Sequence, residues 1–431
     1  MLKRKFMDTL VEWKNSKEKK CLLVKGARQV GKTFIIREFG KLHYKNIVEL
    51  NFLFNPEYKE FFSGSLDPQT IYSKISLKFN GVTFNKNTLL FLDEIQLCGQ
   101  ARTALKFIAE DNRCDCIASG SMLGIAYKET ASIPVGYEHQ IEMFSMDFEE
   151  FLWAKGLTEE NLAIFREHFS SKLPLDKFYN DEMFKNLREY MIVGGMPAVV
   201  MKFLETRNFS DVHREQELII ASYLDDIAQY APASVKPKAR ACYLSIPKQL
   251  AKENKKFQYS IVEKGGDNRK FDTSIDWLHD AALIKFCVNT STPQFPLVSY
   301  EQNNYFKVYA SDIGILIALH GFEMKAEIYN NTLKGPAKGG IYENLIADIL
   351  LKKRKPLHYF KPGENRHEIE FLLTVGGSII PVEVKSGNAP THSLDAFIKE
   401  YAPPYGLKFI TGNIGQADKK ITLPLYMAMF L

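Results

Sequence analysis

Eight consecutive residues, Gly26-Ala27-Arg28-Gln29-Val30-Gly31-Lys32-Thr33, carry two glycines, a lysine and a hydroxyl at the spacing that cradles phosphate oxygens. The glycines let backbone N–H groups close around the phosphates, and the helix that follows offers its positive end. Lys32 would bridge the outer phosphates of ATP, and Thr33 would give a hydroxyl to Mg²⁺. Further on, Thr88-Leu89-Leu90-Phe91-Leu92-Asp93-Glu94 is an apolar run ending in two acids. A strand buried on both faces has no structural reason to finish this way. Beside the loop in a parallel sheet, Asp93 is expected to hold the Mg²⁺ shell and Glu94 to orient and deprotonate the attacking water. The plainer alternative is a strand running out into solvent. Ser119, in Ser119-Gly120-Ser121 at the end of a third strand, is expected to sense the terminal phosphate, although the same tripeptide is ordinary turn chemistry.

A second group lies in the tail. Glu343 falls in Gly340-Ile341-Tyr342-Glu343-Asn344, which opens a predicted helix, and the strands Ile369–Leu373 and Ile380–Lys385 flank Gly376-Gly377, a two-residue hairpin signal. Counting outward from that turn sets Glu370 opposite Glu383, and two carboxylates facing across a ladder repel. A divalent cation would compensate; so would Lys385, which shares the face of Glu383. With Glu343 from the helix, the group resembles the acid, acid-x-Lys site of restriction-endonuclease-like folds, a resemblance that implies acids holding Mg²⁺ and Lys385 helping to activate water. An exposed Glu-x-Lys on an inert scaffold is the competing reading. Pro381 is expected at a sheet edge or a bulge.

The elements that must position these groups are visible as patterns. Cys21–Val24 reads as a buried strand entering the phosphate loop and Phe34–Phe39 as a helix leaving it. Ala101–Glu110 reads as a helix, with strands at Asp115–Ser119 and Glu138–Phe144, an alternation that fits a three-layer α/β sandwich. From Phe148 to about Tyr230 the apolar spacing turns helical, as in Leu187, Tyr190, Met191 and Gly194 before Gly195-Met196-Pro197 stops the helix. This is expected to be a lid over the nucleotide. Pro232 to Pro247 reads as a junction. Beyond it come Ile246–Phe257, a Gly265-Gly266 turn, a helix with Phe271, Ile275, Leu278 and Ala282 on one stripe, and two β segments, which is the order of a winged helix. Lys264, Arg269 and Lys270 gather where a recognition helix would meet DNA. Lys352-Lys353-Arg354-Lys355 would track a phosphate backbone or simply end a helix favourably.

The phosphate loop, the Leu-Asp-Glu strand end, Ser119-Gly120-Ser121, Pro134-Val135-Gly136, Phe148-Glu149-Glu150-Phe151-Leu152, Gly194-Gly195-Met196-Pro197 and Asp312-Ile313-Gly314 together resemble a family of prokaryotic AAA+ ATPases. Members of that family carry a C-terminal domain of unknown function, here similar to restriction-endonuclease-like folds. The resemblance implies nucleotide binding and hydrolysis, with Lys32, Thr33, Asp93 and Glu94 in the usual roles; a homo-oligomer is an expected partner, and the ring that such hydrolysis usually needs is left unassigned. Such chains often place a basic residue after Pro-Val-Gly; here stand Tyr137 and Glu138, so no trans-acting arginine is assigned.

Length and composition bound the rest. A chain of 431 residues with 45% hydrophobic residues is long enough for several cores. The expected division is a P-loop ATPase core over 1–150, a helical lid over 151–235, a winged-helix-like domain over 236–334 and a nuclease-like domain over 335–431. No signal-like or membrane-spanning run is present, so no membrane partner and a cytoplasmic address are expected. The six cysteines are scattered without zinc spacing and read as reduced core thiols. From Lys236 to Tyr300 eleven Lys or Arg face six Asp or Glu, an excess equal to the net +5 of the whole chain, so DNA contact is expected there. Two rivals remain open: a nucleotide-dependent regulatory module or scaffold that cuts nothing, and a purely structural tail that mediates oligomerisation. A small-molecule kinase fits less well, because Asp93-Glu94 suits water activation rather than transfer to a hydroxyl.

Overall fold

The computed structural model describes residues 2–17, 19–121, 136–363, 368–387 and 390–431. Pro134 and Val135 of the Pro-Val-Gly segment lie outside the described residues. The chain divides into two compact units, Met1–Phe144 with Asp280–Ala282, and Ser145–His279 with Leu283–Leu431.

The first unit contains helix α1 (Phe6–Asn15) and is built on a five-stranded, all-parallel sheet of β1 (Cys21–Lys25), β2 (Asn46–Asn51), β3 (Thr88–Asp93), β4 (Asp115–Gly120) and β5 (Glu138–Glu142), in the order β2-β3-β4-β1-β5. β3 and β4 are buried along their whole length, as apolar runs in a sheet covered on both faces must be. Helices α3 (Pro68–Lys78) and α4 (Gly99–Asp111) pack with Leu23, Leu50, Leu90, Leu92 and Cys116 on one face. Leu89, of opposite parity to Leu90, points to the other face, where α2 (Lys32–His43) lies so close that a Cβ at Gly40 would come within 3.2 Å of it. The three-layer sandwich expected from the alternation is thus present. β3 does not pair with the phosphate-loop strand, because β4 runs between them, yet its end lies beside the loop, where Thr33 meets Asp93. The chain passes from β1 out to β2 and returns through β3 and β4 before β5 joins on the far side. This leaves the crevice at the carboxyl end of β1, where ligands of open parallel sheets bind.

The second unit opens with five helices, α5 (Phe148–Ala154), α6 (Glu159–Ser171), α7 (Lys177–Val193), α8 (Pro197–Thr206) and α9 (Phe209–Tyr230). α7 stops at Gly194, whose φ of 76° is open to glycine and costly for other residues. The expected junction at Pro232–Pro247 is instead helical, α10 (Lys236–Leu250). Pro237 sits in the first turn, where its missing N–H is not needed, and Pro247 in the last. Between them Ala239, Cys242, Tyr243, Ile246 and Leu250 form a buried stripe at helical spacing, a stronger signal than the two prolines. α11 (Tyr259–Val262), α12 (Asn268–Asp280) and the antiparallel hairpin of β6 (Ile284–Thr290) and β7 (Glu301–Ala310) follow.

That hairpin does not stand apart as a wing. β6 pairs with β8 (His358–Phe360), so the hairpin is one edge of an eight-stranded mixed sheet that also holds β9 (Ile369–Val375), β10 (Ser378–Val384), β11 (Gly406–Ile410), β12 (Gly415–Ala417) and β13 (Lys420–Pro424), in the order β12-β13-β11-β10-β9-β8-β6-β7. Residues 236–334 and 335–431 therefore share a sheet and do not form separate bodies. In its middle, β9 (Ile369–Val375) and β10 (Ser378–Val384) join through Gly376-Gly377, both at positive φ, and pair in the register expected, from Ser378 with Val375 to Val382 with Phe371. Pro381 is in a central strand without a bulge, contrary to expectation. The N–H of Lys385 donates to Phe409 of β11 (Gly406–Ile410), so by alternation the missing N–H of Pro381 faces the same neighbour, just before that ladder begins at Val382.

The Gly-Gly-Met-Pro and Asp-Ile-Gly motifs meet inside this unit. Asp312, at the start of α13 (Ile313–His320), accepts from the N–H groups of Gly314 and Ile315, from Gly195 N–H at 2.8 Å and from the Ser145 hydroxyl at 2.7 Å. A Cβ on Gly195 would stand 2.0 Å from the Met146 carbonyl oxygen. Gly195→Ala is accordingly expected to cost about 3 kcal/mol or more, because backbone must move to admit the methyl. Thermal denaturation should show a lowered midpoint for this variant and an unchanged one for Gly363→Ala, whose Cβ would meet nothing within 4 Å.

Candidate functional site

The phosphate loop links β1 to α2, with Lys32 as the first residue of the helix and Gly31, at φ 96°, as its N-cap. Gly26 serves a close approach as well as a turn: a Cβ there would lie 2.2 Å from the carbonyl oxygen of Met143, just past β5. Gln29 also takes a positive φ, of 67°, in the tight curl between the two glycines. Ala27 and Val30 are buried, and Arg28 contributes a charge that helps lower the Lys32 pKa. The Lys32 ammonium turns into its own loop and donates to the carbonyls of Gly26 at 3.0 Å and Ala27 at 2.8 Å. Burial lowers its pKa to about 8, against the opposite pull of Glu94 and Asp93.

Asp93 ends β3 and is the hub of the site. Its carboxylate accepts from the Thr33 hydroxyl at 3.0 and 3.2 Å, from the Asn51 amide at 2.8 Å and from the Ser119 hydroxyl. Burial raises its pKa, and the hydroxyls of Ser119 and Thr33 draw it back. Thr33 and Asp93, expected from separate motifs, are thus in direct contact. Their hydroxyl and carboxylate oxygens are the hard donors Mg²⁺ takes, so the donor set fits that ion. Ser119 is fully buried on β4 and spends its hydroxyl on Asp93. Glu94, the next residue, has φ 56° and ψ 46°, a left-handed conformation that turns it out of the strand, and its carboxylate accepts from the Gln96 amide at 2.5 Å.

Two residues of the site escaped the sequence reading. Asn51 ends β2 in register with Asp93. Its amide oxygen accepts the N–H groups of Leu53 and Phe54, which fixes its NH₂ toward Asp93. A polar residue closing an apolar strand, the feature that singled out Asp93, was the available signal. Arg4 donates to the Val30 carbonyl in the loop and to the Phe144 carbonyl after β5. Nothing distinguished it from its neighbours Lys3 and Lys5. Glu138, where a basic residue is common in similar chains, forms a buried pair with Arg102 of α4.

In the second unit Glu343 is deep inside α15 (Pro336–Lys352) rather than at its start. Lys307 of β7 holds one of its oxygens at 2.6 Å, shared with the Tyr309 hydroxyl, and Lys255 holds the other at 3.1 Å. Burial pushes Glu343 up, yet Lys307 and Lys255 more than offset it, bringing it down to about 2. Lys385 bridges the hairpin acids, 2.8 Å from Glu383 and 3.4 Å from Glu370. The second oxygen of Glu383 accepts the Leu394 N–H at 3.3 Å. The second oxygen of Glu370 is buried with no hydrogen-bond partner, and burial raises that residue to about 7. Lys352 of the basic run is turned inward onto Asp348 at 2.8 Å. Lys264, Arg269 and Lys270 are exposed, Lys270 paired with Glu263.

A family model described as an AAA domain matches residues 18–152. Two domains of unknown function match the remainder, DUF8612 over 184–326 and DUF4143 over 338–427. No curated protein matches the chain. Among solved structures, the Walker-type ATPase of Pyrococcus abyssi is 12% identical, with 74% of this chain and 96% of that one covered at a TM-score of 0.43. The Aeropyrum pernix ORC1 protein in complex with DNA is 12% identical over 75% and 92% at 0.29, and AMPPCP-bound DnaA from Aquifex aeolicus 14% identical over 63% and 86% at 0.27. Likenesses this loose transfer no activity. The AAA-domain match covers the residues that form the Asp93 site, and it agrees with the parallel α/β fold. Among the described residues no helix is long and apolar enough to cross a membrane, and all six cysteines are buried and free.

A pH dependence follows from Lys32. A bound phosphate favours the charged amine, so its pKa is higher with ligand than the value near 8 without. ATP affinity is expected to be level up to about pH 8 and then to fall, approaching tenfold per pH unit. Fluorescent-nucleotide titrations from neutral to alkaline pH check this; a level affinity throughout would mean that Lys32 is already charged in the free loop.

Proposed function

We propose that the first unit binds and hydrolyses ATP with Mg²⁺. The observation that carries this reading is the direct contact of Thr33 with Asp93, in a site that also gathers Lys32 and is followed at once by Glu94. Lys32 supplies a buried cation whose hydrogen-bond partners among the described residues are neutral carbonyls, so phosphate oxygens are better acceptors for it. Mg²⁺ bound at Thr33 and Asp93 would supply charge neutralisation at the phosphates. Asn51 and Ser119 fix the Asp93 carboxylate so that it does not swing when its partners change. Glu94, held by Gln96 and turned out of the strand, is the group that orients and deprotonates water.

The helices α5–α9 are read as a lid and α10–α12 with the β6–β7 hairpin as a winged-helix variant, and the nucleotide cycle as coupled to DNA association through the second unit. Support for the DNA role is the exposure of Lys264, Arg269 and Lys270 around the start of α12. For the nuclease-like tail, a binding scaffold that does not cut is favoured by the lysines already on its acids. Assembly into a homo-oligomer remains part of the proposal, as the AAA+ resemblance implies.

Glu94→Gln is expected to keep nucleotide affinity and lower the ATP hydrolysis rate by about a hundredfold or more, whereas Lys32→Ala should lose nucleotide binding. Steady-state phosphate release together with nucleotide titration checks both, and full hydrolysis by Glu94→Gln would remove Glu94 from its role. Arg269→Ala combined with Lys270→Ala should weaken DNA binding and reduce the log–log salt slope by about two. An unchanged slope in anisotropy titrations places the DNA contact elsewhere.

A further inference from the structure

Among the described residues no three histidine, cysteine, aspartate or glutamate side chains are placed to hold a metal ion. In the tail the reason is local: cations of the chain itself already sit on the acids expected to bind Mg²⁺. Lys307, with no exposed side-chain surface, pairs with both Glu343 and Glu368. Lys255 covers the other oxygen of Glu343, and Lys385 joins Glu370 to Glu383. A divalent ion would have to displace Lys307, whose ammonium would then be buried and unpaired, a costly state. These residues do not fit the metal.

Of these, Lys255, Glu368, Glu370 and Lys385 line a cavity of about 610 Å³, together with Lys252 and Lys361. Three segments supply the basic groups: the turn after α10, the stretch after β8 and the end of β10. The turn is fixed in place because Gly340 of α15 lets the Leu250 carbonyl approach to where a Cβ would stand only 2.1 Å away. Lys252 and Lys361 differ from the other lysines here. Among the described residues their ammonium groups have no hydrogen bond or ion pair, while Glu368 and Glu370 in the same lining each have a lysine. Glu253, also in the lining, offsets one of the two, and Ser393 adds a hydroxyl. A lining whose buried acids are already neutralised and that keeps unpartnered ammonium groups suits an anion, not a cation.

We propose that this cavity is a metal-independent receptor for a phosphate group, carried by a nucleic-acid backbone or by a free nucleotide, with Lys252 and Lys361 as its contacts. Lys255, Lys307 and Lys385 are the resident cations that hold its acids. The inference stands apart from ATP hydrolysis in the first unit.

The test uses the full chain carrying Lys32→Ala, which silences the phosphate loop. Binding of a labelled DNA oligonucleotide and of a labelled nucleoside monophosphate is followed by anisotropy, in EDTA and again in Mn²⁺. Binding should be equal in the two conditions. Lys252→Ala with Lys361→Ala should weaken it about tenfold and lower the DNA salt slope by about two, with the thermal midpoint unchanged. Binding of the oligonucleotide alone assigns the phosphate to a nucleic-acid backbone, and competition by the monophosphate assigns it to a free nucleotide. Binding that needs Mn²⁺ and disappears in Glu370→Gln would overturn the proposal in favour of a metal site. So would DNA binding that survives the Lys252 and Lys361 changes and is lost only with Arg269 and Lys270, a result that would leave the proposed DNA contact at α12 standing.

Discussion

A carboxylate can remain ionised inside a protein only if donors replace the water it has lost, and the first unit is organised around meeting that demand at Asp93. The donors come from separate elements: Thr33 from the start of α2, Asn51 from the end of β2, Ser119 from the end of β4. A parallel sheet in the order β2-β3-β4-β1-β5 brings those carboxyl ends into one row. With β4 running between β1 and β3, Ser119 reaches Asp93 from the adjacent strand, and the loop reaches it only through Thr33. The strand order is therefore part of the chemistry. It determines that Asp93 is held from both neighbouring strands and leaves the loop side for the ligand.

The second unit meets the same demand in a different way. Asp312 is satisfied chiefly by backbone N–H groups, made available because Gly195 and Gly314 let two segments touch. Glu343 and Glu383 are satisfied chiefly by lysines. A carboxylate held by fixed N–H groups is a structural joint. One held by flexible ammonium groups is a charge cluster, whose balance depends on every member. Glu370 shows the difference: burial raises it to about 7 and Lys385 only partly offsets that, while Glu343, equally buried but with two close lysines, falls to about 2.

Much of the first unit was legible because its chemistry is local in sequence. A strand, a glycine loop and a helix within Cys21–Phe39 fix a phosphate site, and Thr88–Asp93 reads as a strand over the residues it occupies. Arg4 was not legible, since it matters through carbonyls far away in the chain, whereas Asn51 carried the same strand-end signal as Asp93 but reaches Asp93 only across the sheet. In the tail, the turn signal at Gly376-Gly377 gave the right register, and Lys385 was correctly placed beside both acids. The lysines on Glu343 were missed for the same reason as Asn51: Lys255 and Lys307 lie far from it in sequence and reach it only through the shared sheet and the α10 turn. The prolines of α10 misled because punctuation residues were weighed above a periodic apolar stripe.

That contrast bears on how the two sites work. Among the described residues Lys32 donates to two carbonyls, weak acceptors that a phosphate readily replaces. At the cavity of the second unit Lys255 and Lys385 are already committed to acids, and among the described lysines that line it Lys252 and Lys361 are left over. A catalytic site for phosphoryl transfer needs cations that are present and uncommitted, because charge that is neutralised in the ground state is not available as negative charge develops. By that criterion the loop of the first unit suits the turnover proposed for it. The tail is set up to hold a phosphate, with its acids and cations balanced against one another before any ligand arrives.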